Sequence, residues 1–197
     1  MHRLKKAMTV ATLVAICVTL ITVPRFLGQA GNPGAWTFNH NAHYFVSADQ
    51  SFSADTSLHT ITGLSIAMPN ISSPTFLQVK CRLFYSQATA AVANIYGVQF
   101  TTNGPTNSAW YAEAQTAVAA TGVYAATAPT ATLTGTSATT LTTATPAATS
   151  TIYGVNIEGF VEWPANTAGT LNIQAGTGNA SDALTIKRDS GCYFPGQ

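Results

Sequence analysis

The stretch Phe76-Leu77-Gln78-Val79-Lys80-Cys81-Arg82-Leu83-Phe84-Tyr85 has a period of two. Leu77, Val79, Cys81, Leu83 and Tyr85 fall on one face; Phe76, Gln78, Lys80, Arg82 and Phe84 fall on the other. In an extended chain successive side chains point to opposite faces, so this is a half-buried β-strand with Cys81 turned inward. Residues 95–101 repeat the pattern with Tyr96, Val98 and Phe100. Residues 152–163 do so over a longer run, with Tyr153, Val155, Ile157, Val161 and Trp163 on one side. Leu171, Ile173 and Ala175, a turn at Gly176-Thr-Gly-Asn-Ala-Ser181, then Leu184 and Ile186 read as a β-hairpin. Shorter strands are expected in 36–46, 64–68, 109–114 and 130–133.

Seven to nine short strands, separated by Gly, Asn and Pro turns, predict an all-β sandwich or barrel. The missing helices exclude a parallel α/β fold. Residues 31–197 form one domain, long enough to bury about two-thirds of its unfolded surface. Within it, 27 of the 40 residues from 112 to 151 are Ala or Thr, with Pro129 and Pro146 as breakers. Strands resume on both sides and threonine favours strands, so long loops and small-residue edge strands are expected there. A glycosylated Ser/Thr/Pro spacer is the competing reading.

Only 8% of the 197 residues are charged, against roughly 25% in an ordinary soluble domain. Arg3, Lys5, Lys6 and Arg25 precede residue 30, which leaves 4 bases and 7 acids in the remainder. No clustered basic face marks a nucleic-acid binder. The basic start, the uncharged apolar residues 7–23, Pro24 and the small residues Gly28 and Ala30 have the layout of an export signal on an N-terminal α-helix, residues 1–30. Seventeen helical residues span about 26 Å, slightly short of a bilayer core. A retained membrane anchor, with membrane contact through 7–23, is the second reading, and a helix packed into a larger protein assembly the third.

The chemistry available is sparse. His40 and His43 are three apart and would diverge on a strand, and His59 is remote, so no metal site is expected. Glu158 and Glu162 share an outward face, where two carboxyls solvate a chain poor in charge. No Gly-x-Ser-x-Gly elbow occurs, and Gly176-Thr-Gly178 joins two strands instead of opening a helix. No nucleophile, base and orienter come together, so neither an enzyme nor a cofactor is expected. Cys17 lies in the apolar segment; Cys81 and Cys192 remain as a pair that could form a disulfide after export. A buried thiol is the alternative for Cys81. Trp36, Trp110 and Tyr111 are candidate glycan-contacting aromatics, with core or interface packing as the other reading.

Several runs, in order, carry a resemblance. They are Asp55-Thr-Ser-Leu-His-Thr-Ile-Thr-Gly-Leu-Ser65, Arg82-Leu-Phe-Tyr85-Ser-Gln-Ala-Thr, Tyr96-Gly-Val-Gln-Phe-Thr-Thr-Asn-Gly-Pro105, Ile157-Glu-Gly-Phe-Val161, Ala168-Gly-Thr-Leu-Asn-Ile-Gln-Ala175 and Ala183-Leu-Thr-Ile-Lys187. Over roughly residues 45–190 the chain resembles a group of tailed-bacteriophage virion structural proteins. The resemblance implies an antiparallel jelly-roll β-sandwich of the tumour-necrosis-factor-like kind. It implies a trimeric homo-oligomer, located in the virion as a head decoration, fibre or spike component beside other virion proteins. The chain departs from that group in its signal-like residues 3–30 and in its ending, Asp189-Ser-Gly-Cys-Tyr-Phe-Pro195. The alternative role is an exported, cell-surface or membrane-anchored binding module that recognises carbohydrate.

Overall fold

The computed structural model describes residues 43–53, 56–68, 70–89, 92–116, 124–130 and 136–195. The hydrophobic segment 1–30, with Cys17, and also Trp36 and His40, lie outside them. The described residues form twelve strands: β1 (His43–Phe45), β2 (Gln50–Ser53), β3 (His59–Met68), β4 (Thr75–Gln87), β5 (Asn94–Thr101), β6 (Asn107–Gln115), β7 (Tyr124–Thr130), β8 (Thr139–Ala144), β9 (Tyr153–Trp163), β10 (Gly169–Thr177), β11 (Ala183–Ile186) and β12 (Gly191–Tyr193). No described residue is helical, and no helix among them is long and apolar enough to cross a membrane.

All strands pair antiparallel, in two sheets. One runs β1-β12-β4-β9-β6-β7, with the pair β2-β11 added on β4; the other runs β3-β10-β5-β8. The alternating stretch around Cys81 is β4, the longest strand, and it organises the first sheet. Along one side it pairs with β9 from Thr75↔Trp163 to Tyr85↔Tyr153. Along the other it takes β12 at Lys80–Arg82 and β11 at Tyr85–Gln87, one after the other.

A two-layer, sandwich-like arrangement fits this pairing, because the inward faces of both sheets meet in one apolar cluster. Aromatic rings bridge the layers. Tyr85 of β4 lies 5.4 Å from Tyr96 of β5, and Phe100 of β5 lies 5.9 Å from Trp163 of β9 and 6.3 Å from Trp110 of β6. Each such side chain stabilises the fold by about 1.5–3 kcal/mol through burial.

One expectation fails. The residues around Leu171–Ala175 and Leu184–Ile186 do not form a hairpin: β10 pairs with β3 and β5, whereas β11 pairs with β2 and β4. The turn 178–182 instead carries the chain from one sheet to the other. Turn chemistry and alternation look the same in both cases, so only long-range pairing separates them. Within 112–151, β7 borders the first sheet and β8 the second, so the small residues do supply edge strands. Of the strand expected at 130–133, Thr130 ends β7 and residues 131–133 lie outside the described residues.

Gly63 has φ +92°, at the point where β3 slips register against β10. A Cβ there would sit 2.4 Å from the Phe45 carbonyl oxygen. The slip removes Thr62 from the ladder, and the Gln50 amide takes the place of the lost strand. Gln50 Nε2 donates to the Thr62 carbonyl (2.7 Å), and its Oε1 accepts from the Thr62 N–H (2.8 Å). Buried or not, a backbone pair freed by a bulge needs such a substitute.

Burial pushes the Tyr96 hydroxyl well above its usual pKa, with neighbouring Tyr85 adding to the effect. Tyr85 is raised as well, by burial first and then by Tyr153. Both groups hold their protons more tightly folded than unfolded. Their contribution is therefore complete below about pH 10 and is lost as pH rises above it, by about 1.4 kcal/mol per pH unit for each tyrosine. Urea midpoints are expected to fall steeply between about pH 10 and 12, with the share of tyrosinate absorbance from Tyr85 and Tyr96 appearing only as the chain unfolds. Tyrosinate absorbance that rises fully before unfolding would contradict this account.

Candidate functional site

The outer face of the first sheet holds an open depression of ≈ 490 Å³ on β4, β6, β9 and β12. Its rows follow from register. Tyr193 lies opposite Lys80, Lys80 opposite Glu158, and Glu158 opposite Tyr111. The adjacent row runs Gly191, Arg82, Asn156 and Glu113. Short Asn156 and Gly191 leave room between the longer side chains, which is why the face is concave here.

Most charges in the depression are already partnered. Lys80 Nζ is 3.3 Å from Glu158 Oε1, and that oxygen also accepts from Gln78 Nε2. The Tyr111 hydroxyl donates to Glu113, and this bond to a carboxylate holds the phenol pKa above its usual value. Arg82 places its guanidinium 5.3 Å from the centre of the Phe84 ring. Among the described residues neither Arg82 nor Asn156 has a side-chain hydrogen bond. Two tyrosines close the ends: Tyr111 is 36% and Tyr193 41% exposed. His43 stacks on Tyr193 at 5.8 Å and on Phe45 at 5.9 Å, which extends the aromatic edge onto β1.

The candidates named from the sequence separate. Tyr111 faces outward into the depression, but its neighbour Trp110 is 1% exposed and packs in the core, so it contacts no ligand. Its indole N–H donates to Ser108 Oγ at 3.1 Å. Strand alternation forces this division, since Ser108, Trp110, Ala112 and Ala114 share the buried face. Cys81 and Cys192 are cross-strand partners whose sulfurs are joined in the structure, with Cα atoms 4.0 Å apart. His43 and His59 belong to different sheets, and His59 stacks on Phe52 at 5.9 Å. Glu158 and Glu162 both face outward, but only Glu158 lines the depression.

Asn156, Glu113 and Tyr193 were not singled out from the sequence. Strand alternation places Tyr193 outward once its neighbour Cys192 is buried.

No family model matches the chain, and no curated protein matches it. Among solved structures it is similar to a chain in the structure of infectious bursal disease virus, Gx strain. That match has 10% identity, covers 78% of this chain and 39% of the other, and has a TM-score of 0.21. A chain in the Gt strain structure is 14% identical, covering 80% and 42%, with a TM-score of 0.16. The chain thus spans about two-fifths of the length of those viral chains.

Proposed function

We propose that the chain is a non-enzymatic structural component of a virion, a decoration, spike or fibre protein built on a jelly-roll domain. The observation that carries this reading is the strand order. Setting aside the β6-β7 insertion and the edge pair β1-β12, the layers are β2-β11-β4-β9 and β3-β10-β5-β8. Apart from β5 and β8, which pair in one sheet, successive strands thus alternate between sheets in the manner of two nested Greek keys, the jelly roll used by viral capsid and lectin domains. The step from that fold to a virion is one of analogy, and the phage-like runs between residues 45 and 190 favour it. The non-enzymatic part is supported by the depression's carboxyls, each already engaged by a neighbour.

The domain self-associates as a trimer and is attached through residues 7–23. Phe76 and Phe160, 65% and 56% exposed, are diagonal neighbours on β4 and β9, beyond the depression. Two such rings, with Gln78 and Ala109 flanking Phe160 and Glu162 as the one charge opposite Phe76, suit contact with another copy. Native protein is expected to sediment at three times 20.5 kDa and to copurify with particles in fixed stoichiometry. The double variant Phe76→Ser, Phe160→Lys is expected to sediment as a folded monomer. Absence from purified particles, or a monomeric native chain, would overturn the proposal.

A further inference from the structure

We propose that the depression across β12, β4, β9 and β6 binds a neutral oligosaccharide, stacked on Tyr193 and Tyr111 and read by Arg82 and Asn156. The argument goes beyond a virion role and does not depend on it. Three interstrand spacings separate the two tyrosines, a span of roughly 14 Å. That length matches a short chain of sugars better than one ring. The exposed tyrosine rings, Tyr193 on the face away from His43, offer flat apolar surfaces for the C–H side of a pyranose.

In register the ion pair Lys80–Glu158 lies between them, and Arg82 and Asn156 in the adjacent row decide the ligand class. Arg82 presents fixed N–H donors, and Asn156, directly opposite in register, presents a donor and an acceptor. Neither is engaged by another side chain among the described residues through a hydrogen bond. Glu113, opposite Asn156, and Glu158, between the tyrosines, add acceptors. Sugar hydroxyls donate and accept at once, so a mixed floor satisfies them. Lys80 and Arg82 are balanced by Glu113 and Glu158, so the depression has no net charge to draw an anionic ligand, and an apolar ligand would strip water from polar groups without replacing it. Phe84 beneath Arg82 holds the guanidinium in place, which reduces the ordering needed on binding.

The test is calorimetric titration of the full chain with linear tetrasaccharides of glucose, mannose, galactose and N-acetylglucosamine, and with a glucuronate-containing tetrasaccharide. Saturable binding of at least one neutral sugar is expected. Arg82→Gln, Tyr111→Ala and Tyr193→Ala should each weaken it by about tenfold or more. All three side chains lie on the outer face, so melting temperature serves as the folding control. The variant Phe76→Ser, Phe160→Lys, which addresses self-association, should bind the sugar as wild type does. No saturable binding to any neutral sugar overturns the proposal, as does binding that survives Arg82→Gln and Tyr193→Ala unchanged. Preference for the glucuronate sugar overturns its neutral-ligand part. None of these outcomes bears on particle association.

Discussion

Gly159→Ala is expected to destabilise the domain by about 3 kcal/mol, the upper part of the range for an overpacked core. Gly159 faces inward on β9, directly opposite Trp110 on β6. A Cβ there would lie 2.3 Å from Trp110 Cζ3 and 2.4 Å from Cε3. These atoms belong to a rigid ring, not to the end of a flexible side chain. The ring has little room to retreat, since Phe100 backs it and its N–H is fixed on Ser108. For a chain of this size the loss corresponds to a fall in melting temperature of roughly 6–12 °C. The variant Gly159→Ala, Trp110→Phe should recover part of it, because the smaller ring vacates the contested space. Calorimetric melting of these two variants and of Trp110→Phe alone checks the cycle, and a Gly159→Ala variant that melts with wild type would refute the packing described.

Asp182→Ala is expected to cost about 3–5 kcal/mol, combining two lost bonds to a carboxyl with the burial of the donors left behind. Asp182 is 4% exposed and lies where the chain passes from β10 to β11. Its oxygens accept from the Gln87 side chain and from the Thr89 backbone N–H. Gln87 in turn accepts from Asn94 Nδ2 at 2.6 Å and donates to the Val92 carbonyl at 2.9 Å. One carboxyl thus ties the sheet crossing to the β4–β5 connection. Asp182→Asn should lose roughly half as much, because one oxygen survives as an acceptor while the new amide N–H₂ faces a donor. Urea denaturation ranks the variants; equal stability of wild type and Asp182→Ala would show that the knot contributes nothing.

The parts of the fold visible in the sequence are those set by local periodicity. Leu77 to Tyr85 and Tyr153 to Trp163 alternate without a break, so their strands and buried faces could be read directly. β11 and β12, four and three residues long, are too short to show a period. The crossing at 178–182 reads as a hairpin in the sequence because both kinds of connection use the same Gly and Asn turn residues. The site was partly legible. Lys80 with Arg82 and Glu158 with Glu162 were recognisable as same-face pairs, but which strands lie side by side is a long-range property. Arg82 meets Asn156 only because β4 pairs with β9 in one register. Trp110 shows the same limit at the scale of one residue: a tryptophan beside a tyrosine suggests a binding patch until the phase of β6 sends the indole inward.

The pairing of β1 with β12 also determines how the domain bears force. Any tension carried by the chain ahead of residue 43 enters at His43, on a strand three residues long whose ladder partner is β12. Beyond that ladder, the Val46 N–H on the Ser190 carbonyl and the Asp189 N–H on the Val46 carbonyl continue the seam. Such a seam opens one hydrogen bond at a time. β12 cannot follow it outward, because Cys192 is tied to Cys81 on β4. Tension is therefore released by peeling a single edge strand, with the two layers behind it left closed. Under reducing conditions the covalent stop is gone, and the same pull reaches β12 and the edge of β4.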